Sequence, residues 1–120
     1  MARKNHKQWG QQLAARRQHA GYSQDQFANV LLGLWLNLDA SLQAELAHCG
    51  VEPPGDIQGF MLSRYETGLR VPVRRGAHLF LVWALLALGL LRAADEANIW
   101  LELGGQGYLT PSENAVLFRN

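Results

Sequence analysis

Leu62-Ser63-Arg64-Tyr65-Glu66-Thr67-Gly68-Leu69-Arg70-Val71-Pro72 is the stretch on which the fold turns. Leu62 and Tyr65 stand three residues apart, the spacing of one helix face, and Gly68 followed by Pro72 stops the helix. The pattern predicts a short helix from about Gly59 to Glu66. Its Leu62 and Tyr65 turn to a core, leaving Gly59, Phe60, Ser63 and Arg64 on the outside face.

Upstream, Val51-Glu52-Pro53-Pro54-Gly55-Asp56 cannot continue a helix and reads as an exposed loop. Before it, Asp39 or Ser41 can start a short helix through Leu42 and Leu46 that ends near Gly50. Phe27, Val30, Leu31, Leu34 and Leu38 form an apolar stripe behind Ser23, an N-cap candidate. Trp9, Leu13, Arg17 and Ala20 recur at helical steps until Gly21. Downstream, helices are expected over roughly Val73 to Leu91 and about Ala94 to Leu103, where Gly104-Gly105-Gln106-Gly107 breaks the pattern. Thr110-Pro111-Ser112-Glu113 then carries an N-cap, a first-turn proline and an acid at the third helical position. No stretch alternates like a β-strand over more than four residues. The fold class is all-α.

Of 120 residues, 48% are hydrophobic and 18% charged, enough for one domain with a real core. A single cysteine, Cys49, excludes a disulfide framework, and without a C-x-x-C no structural zinc site is expected. His48 beside Cys49 points about 100° away on a helix and supplies only a second ligand, so neither metal nor nucleophile chemistry follows. No phosphate-cradling glycine loop is present, and no catalytic residue or cofactor is expected. The longest apolar run, Leu79 to Leu91, has 13 residues, too few to cross a bilayer. The basic N-terminus is not followed by an apolar stretch, so the expectation is a cytoplasmic protein with no membrane partner. Charge falls in four blocks: +5 over residues 1–20, −5 over 21–63, +4 over 64–92 and −3 over 93–120. Two basic blocks around an acidic one suit a polyanion-binding face, or are ordinary solvated charges.

Three stretches in order resemble the XRE/Cro (lambda-repressor-like) helix-turn-helix family. They are Leu13-Ala14-Ala15-Arg16-Arg17-Gln18-His19-Ala20-Gly21-Tyr22-Ser23-Gln24, then Phe27-Ala28, then the stretch quoted at the outset. The last fits the pattern (I/L)-S-R-(W/Y)-E-x-G-x-x-x-P. The similarity covers about residues 8–31 and 57–91. It implies one helix-turn-helix domain over 1–120, with five core helices, an insert at about 33–56 and a C-terminal helical extension at about 104–120.

The resemblance further implies double-stranded DNA as the partner, dimers on two half-sites, a nucleoid-associated location, and a small transcriptional regulator of bacterial, phage or mobile-element origin. Gln24, Arg70, Arg74, Arg75 and the basic N-terminal arm would anchor phosphates, with Arg64 as principal base reader helped by Gln58 and Ser63. Gly59 and Phe60 share that face, and Phe60 can touch a thymine methyl. Arg17 and Glu66 stand in register with a pair that ties the family's first helix to its third; unpaired and exposed is the other reading. The acidic insert, with Asp39, Glu45, Glu52 and Asp56, is expected to project away from DNA. Its apolar Leu34, Trp35, Leu36 and Leu38 either extend the core or meet a protein partner. The apolar 73–91 helix is covered within the chain or at a subunit interface. An assembly or adaptor module docking through the insert and C-terminus is the alternative function.

Overall fold

The structure, a computed structural model, describes residues 4–118 and contains, among them, seven α-helices and no strand: α1 (His6–His19), α2 (Gln24–Leu36), α3 (Ala40–His48), α4 (Gly59–Glu66), α5 (Arg75–Ala87), α6 (Ala94–Leu103) and α7 (Pro111–Leu117). Most of the starts expected from sequence carry their caps. The Ser23 hydroxyl accepts from Gln26 N while the Gln26 side chain accepts from Ser23 N, and Thr110 and Glu113 make the same reciprocal box. Asp39 caps α3 through Ser41 N. Each such cap stabilises a helix by about 1 kcal/mol.

Helix α5 is shorter than its apolar run suggested. Val73 and Arg74 lie outside it, and Gly89 at φ 72° ends it: Leu90 N donates to Leu85 O and Gly89 N to Leu86 O. That glycine closure satisfies the last carbonyls and lets the chain reverse before Leu91.

Helices α1 and α2 both pack on α4, α1 also packs on α6, and α7 packs on both α3 and α5. Close approach of α1 to α4 depends on Gly10, where a Cβ would strike the Tyr65 and Glu66 carbonyls. Beside it, Trp9 stacks on Trp100 with ring centroids 5.0 Å apart and meets Tyr65 edge-on. Trp100 Nε1 donates to the Trp9 carbonyl at 3.0 Å, which fixes α6 to α1. Helix α5 is buried nearly all round, with Leu79, Phe80, Leu81, Val82, Ala84 and Leu85 in the core. It is covered within the chain.

The insert belongs to the same core. Trp35 meets Phe80 and Trp83 edge-on at 5.9 and 5.6 Å, and Leu46 and Val51 are buried. The Pro53-Pro54 loop is not fully exposed as expected: both prolines are half-buried, and Glu52 N donates to Gly76 O at 3.1 Å. Leu36 and Leu42 remain exposed. Among the described residues no helix is long and apolar enough to cross a membrane.

Candidate nucleic-acid interface

Helix α4 and the loop after it carry most of the residues that sequence singled out. Along its outer stripe Phe60 is 53% exposed, and the Arg64 guanidinium carbon lies 5.8 Å from the Phe60 ring centroid. The Arg64 carbonyl accepts from Arg70 N at 3.2 Å, so the loop folds back onto the end of α4 and Arg70 continues the stripe. Gly68, at φ 77°, allows this turn, and a Cβ there would strike the Lys7 backbone. The start of α1 at Lys7 is thereby packed against Gly68, two residues before Arg70. Phe60 and Arg64 stand one turn apart on α4, and exposed Arg70 and Lys7 belong to the loop and the helix that meet its C-terminal end. Arg64 and Arg70 are exposed, and neither guanidinium has a hydrogen-bond or ion-pair partner among the described residues.

Two further exposed side chains flank these cations. Leu69 and Val73 are 79% and 92% exposed, apolar side chains interleaved with Arg70 and Arg74. The signal available was that Gly68 and Pro72 fix the turn, which leaves these positions little core to reach.

Arg17 and Glu66 meet in a fork. Arg17 Nε donates to Glu66 Oε2 at 2.6 Å, Nη2 donates to Oε1 at 2.9 Å, and Nη1 donates to the Tyr22 carbonyl at 2.7 Å. Both side chains are largely buried, and hydrogen bonding to the Glu66 carboxylate raises the Arg17 pKa against the cost of burial. Gln24 Nε2 donates to the same Glu66 Oε1 at 2.9 Å. Gln24 therefore helps lock α2 to α4, and one of the two N–H groups expected to face phosphate is committed inside the protein.

Arg75 is a larger correction. Its Nε and Nη2 donate to the two Glu113 carboxylate oxygens at 2.9 and 2.6 Å, and its Nη1 and Nη2 donate to the Gly107 and Tyr108 carbonyls at 3.0 Å. It clamps the chain leading into α7 and is withdrawn from the basic face. Hydrogen bonding to Arg75 also holds the Glu113 carboxyl below its ordinary range. Arg74 is different: its contact with Glu52, at 3.3 Å, joins two exposed side chains, a pairing worth under about 1 kcal/mol that a stronger anion can displace.

Gly59 is buried, not outward. A Cβ there would overlap the Asp25 carboxylate, so the first turns of α2 and α4 touch through the missing side chain. Gln58 is exposed, but its amide donates to Asp56 Oδ1 at 2.8 Å, and Ser63 is half-buried. Two acids of the insert, Glu52 and Asp56, thus sit beside candidate interface residues. The 51–58 segment must lead into α4, and it carries them there. Of the basic N-terminal arm, Arg3 lies outside the described residues, as does Arg119 of the C-terminal extension.

Elsewhere, a cleft of about 590 Å³ between α1 and α6 is lined by Gln12, Ala15, Arg16, His19, Leu90, Glu96 and Ile99. Arg16 is tied down in it, donating to the Leu90 carbonyl at 3.2 Å and lying over the Trp100 ring. Cys49 is half-buried, burial raises its thiol pKa, and its Sγ donates to the Ser112 carbonyl. Among the described residues no group of three or more His, Cys, Asp or Glu is placed to hold a metal ion. Comparison with protein-family models, with curated proteins and with solved structures gave no match.

Proposed function

We propose that this chain binds double-stranded DNA as a helix-turn-helix protein of the XRE/Cro type and acts as a small transcriptional regulator. The observation that carries the reading is the exposed Phe60–Arg64 stripe of α4, followed by exposed Arg70 and Arg74, with the Lys7 backbone of α1 packed against Gly68 between them. Helix α2 packs across α4 behind that face, as a supporting helix does for one laid in a major groove. Four cations, Lys7, Arg64, Arg70 and Arg74, are available to phosphate or base edges. With Arg64 on a base edge and the other three on phosphates, log affinity for duplex should fall against log salt with a slope of about −2.7, taking ~0.9 per neutralised phosphate. Fluorescence anisotropy on a labelled duplex across a salt series measures it. A slope near zero, or no binding at low salt, removes DNA from the account.

An assembly or adaptor role is the second reading, favoured by one observation. Leu42, 47% exposed, shares a cleft with Val116 and Leu117 of the C-terminal helix, and Leu36 is 67% exposed at the end of α2. A chain that leaves every duplex unbound would turn attention to that face.

A further inference from the structure

From the pairing of Phe60 with Arg64 we infer that the DNA is read at one two-base-pair step, a guanine with a thymine in the adjacent pair. The inference rests on the DNA-binding reading above. Of the side chains at the front of α4, Gly59 offers none, Gln58 is engaged by Asp56, Met61 is half-buried against the core and Ser63 is short and half-buried. Phe60 and Arg64 are the two long side chains left free. They stand one helical turn apart on the same stripe, and the guanidinium folds back to 5.8 Å from the ring centroid. Groups 5.8 Å apart lie within two base-pair steps of about 3.4 Å along each strand, and we place them on adjacent pairs.

Their chemistry fixes what each can distinguish. A guanidinium is a fork of donors, and guanine alone shows it two acceptors, O6 and N7, on its major-groove edge. A phenyl ring has no donor or acceptor, so the feature it can recognise there is the thymine 5-methyl group. The ring also limits the orientations open to the guanidinium, so guanine meets a donor fork already directed. Phe60 therefore acts twice, on the methyl and on the pose of Arg64. The recognised group is a guanine flanked by a 5-methylpyrimidine.

The test begins with selection of bound duplexes from a randomised library by the full chain, where guanine next to thymine should be enriched. In an enriched duplex, replacing that thymine by deoxyuridine removes only the methyl and should weaken binding about fourfold, the value of burying one such group. Phe60→Ala should bind the thymine and uracil duplexes equally, and Arg64→Gln should lose about tenfold in preference for guanine. A wild-type chain that binds duplex with no base preference, or that is indifferent to the methyl, overturns this inference and leaves DNA binding standing. Retention of the methyl preference by Phe60→Ala also overturns it. Failure of the wild type to bind any duplex defeats both readings. Because the thymine-to-uracil comparison is made on the wild-type chain, it decides the matter even if Phe60→Ala fails to fold.

Discussion

Arg75 opens α5 and Glu113 closes the first turn of α7, and the two meet in a bidentate contact at 2.9 and 2.6 Å. Glu113 has a second duty, accepting from Thr110 N at 2.9 Å in its own helix cap. Charge, cap and docking contact therefore converge on one carboxylate. Replacing Arg75 with alanine strands that carboxylate and leaves the Gly107 and Tyr108 carbonyls without this donor. The expected loss is about 2–4 kcal/mol, the lower end applying because Arg75 is partly exposed. Glu113→Gln should cost less, and the double variant less than the sum. Urea unfolding measures all three; strict additivity would show the residues are uncoupled. Duplex affinity of Glu113→Gln should stay within about twofold of wild type, whereas Arg70→Ala should reduce the salt slope by about 0.9.

The Arg17–Glu66 pair is better shielded, and its partners on α1, α2 and α4 make it a three-helix tie. Arg17→Met leaves Glu66 with only the Gln24 amide for company and should cost about 3–5 kcal/mol. Gln24→Ala removes one hydrogen bond to a charged group, about 1.5–3 kcal/mol. The combination should again fall short of the sum of the two. Guanidinium titrations of the single and double variants supply the coupling energy.

How much of this was legible in the chain depends on how locally each feature is encoded. Helix starts were readable because a cap is written in three or four consecutive residues, as Ser23 to Gln26 and Thr110 to Glu113 show. The ends of α4 and α6 were readable for the same reason, through Gly68 and Gly104-Gly105. Arg75 was misassigned because its neighbours, Arg74 and Arg70, are exposed cations, and nothing nearby announces that Glu113 lies 38 positions ahead in contact. Gly59 was placed outward by helical spacing alone. Its neighbour Asp25 is set by how α2 crosses α4, a tertiary matter that no local pattern carries.

His78 is 1% exposed and lies within the α5 core. Its Nε2 donates to the Pro72 carbonyl at 2.7 Å, which leaves Nδ1 as an acceptor with no partner, and its ring meets Trp9 edge-on. Burial holds its pKa below the ordinary 6.5, with the Pro72 bond opposing and the charges of Arg75 and His6 assisting. The unfolded chain therefore takes up this proton more readily. The stability that neutral His78 supplies is complete above about pH 6.5 and declines as the pH falls through that value. Melting temperature should drop between pH 7 and pH 5, and His78→Gln should flatten that dependence whatever it does to absolute stability. A wild-type profile flat over that range would count against a buried neutral imidazole.

The insert cannot be treated as a dispensable loop. It supplies Trp35, Leu46 and Val51 to the core, and α3 rests on α7. Leu46→Ala should cost about 2–4 kcal/mol, the range for a buried leucine that leaves a cavity. Replacing residues 33–56 with a short turn should abolish cooperative thermal unfolding, since it also exposes Phe80 and Trp83. A sharp, wild-type-like transition in the deletion would show that the six remaining helices, α2 shortened, are self-sufficient.

Gly10 and Gly59 both sit where two helices touch, yet alanine should have very unequal consequences at the two sites. At Gly10 the added Cβ meets backbone: the Tyr65 carbonyl oxygen and, at 2.8 Å, the Glu66 carbonyl carbon. Those atoms cannot move without shifting α4 from α1 and disturbing Glu66, so Gly10→Ala should cost at least about 3 kcal/mol. At Gly59 the nearest obstacle is the Asp25 carboxylate, the far end of an exposed side chain that can rotate into solvent. Alanine is also the better helix former by nearly 1 kcal/mol, so Gly59→Ala should change stability by less than about 1 kcal/mol in either direction. Adding Asp25→Ala should relieve the carboxylate's share of the strain, leaving only the approach to Asp25 N at 3.3 Å. If Gly59→Ala instead proved as damaging as Gly10→Ala, and Asp25→Ala failed to relieve it, the 3.3 Å approach to Asp25 N would be the contact that does not yield.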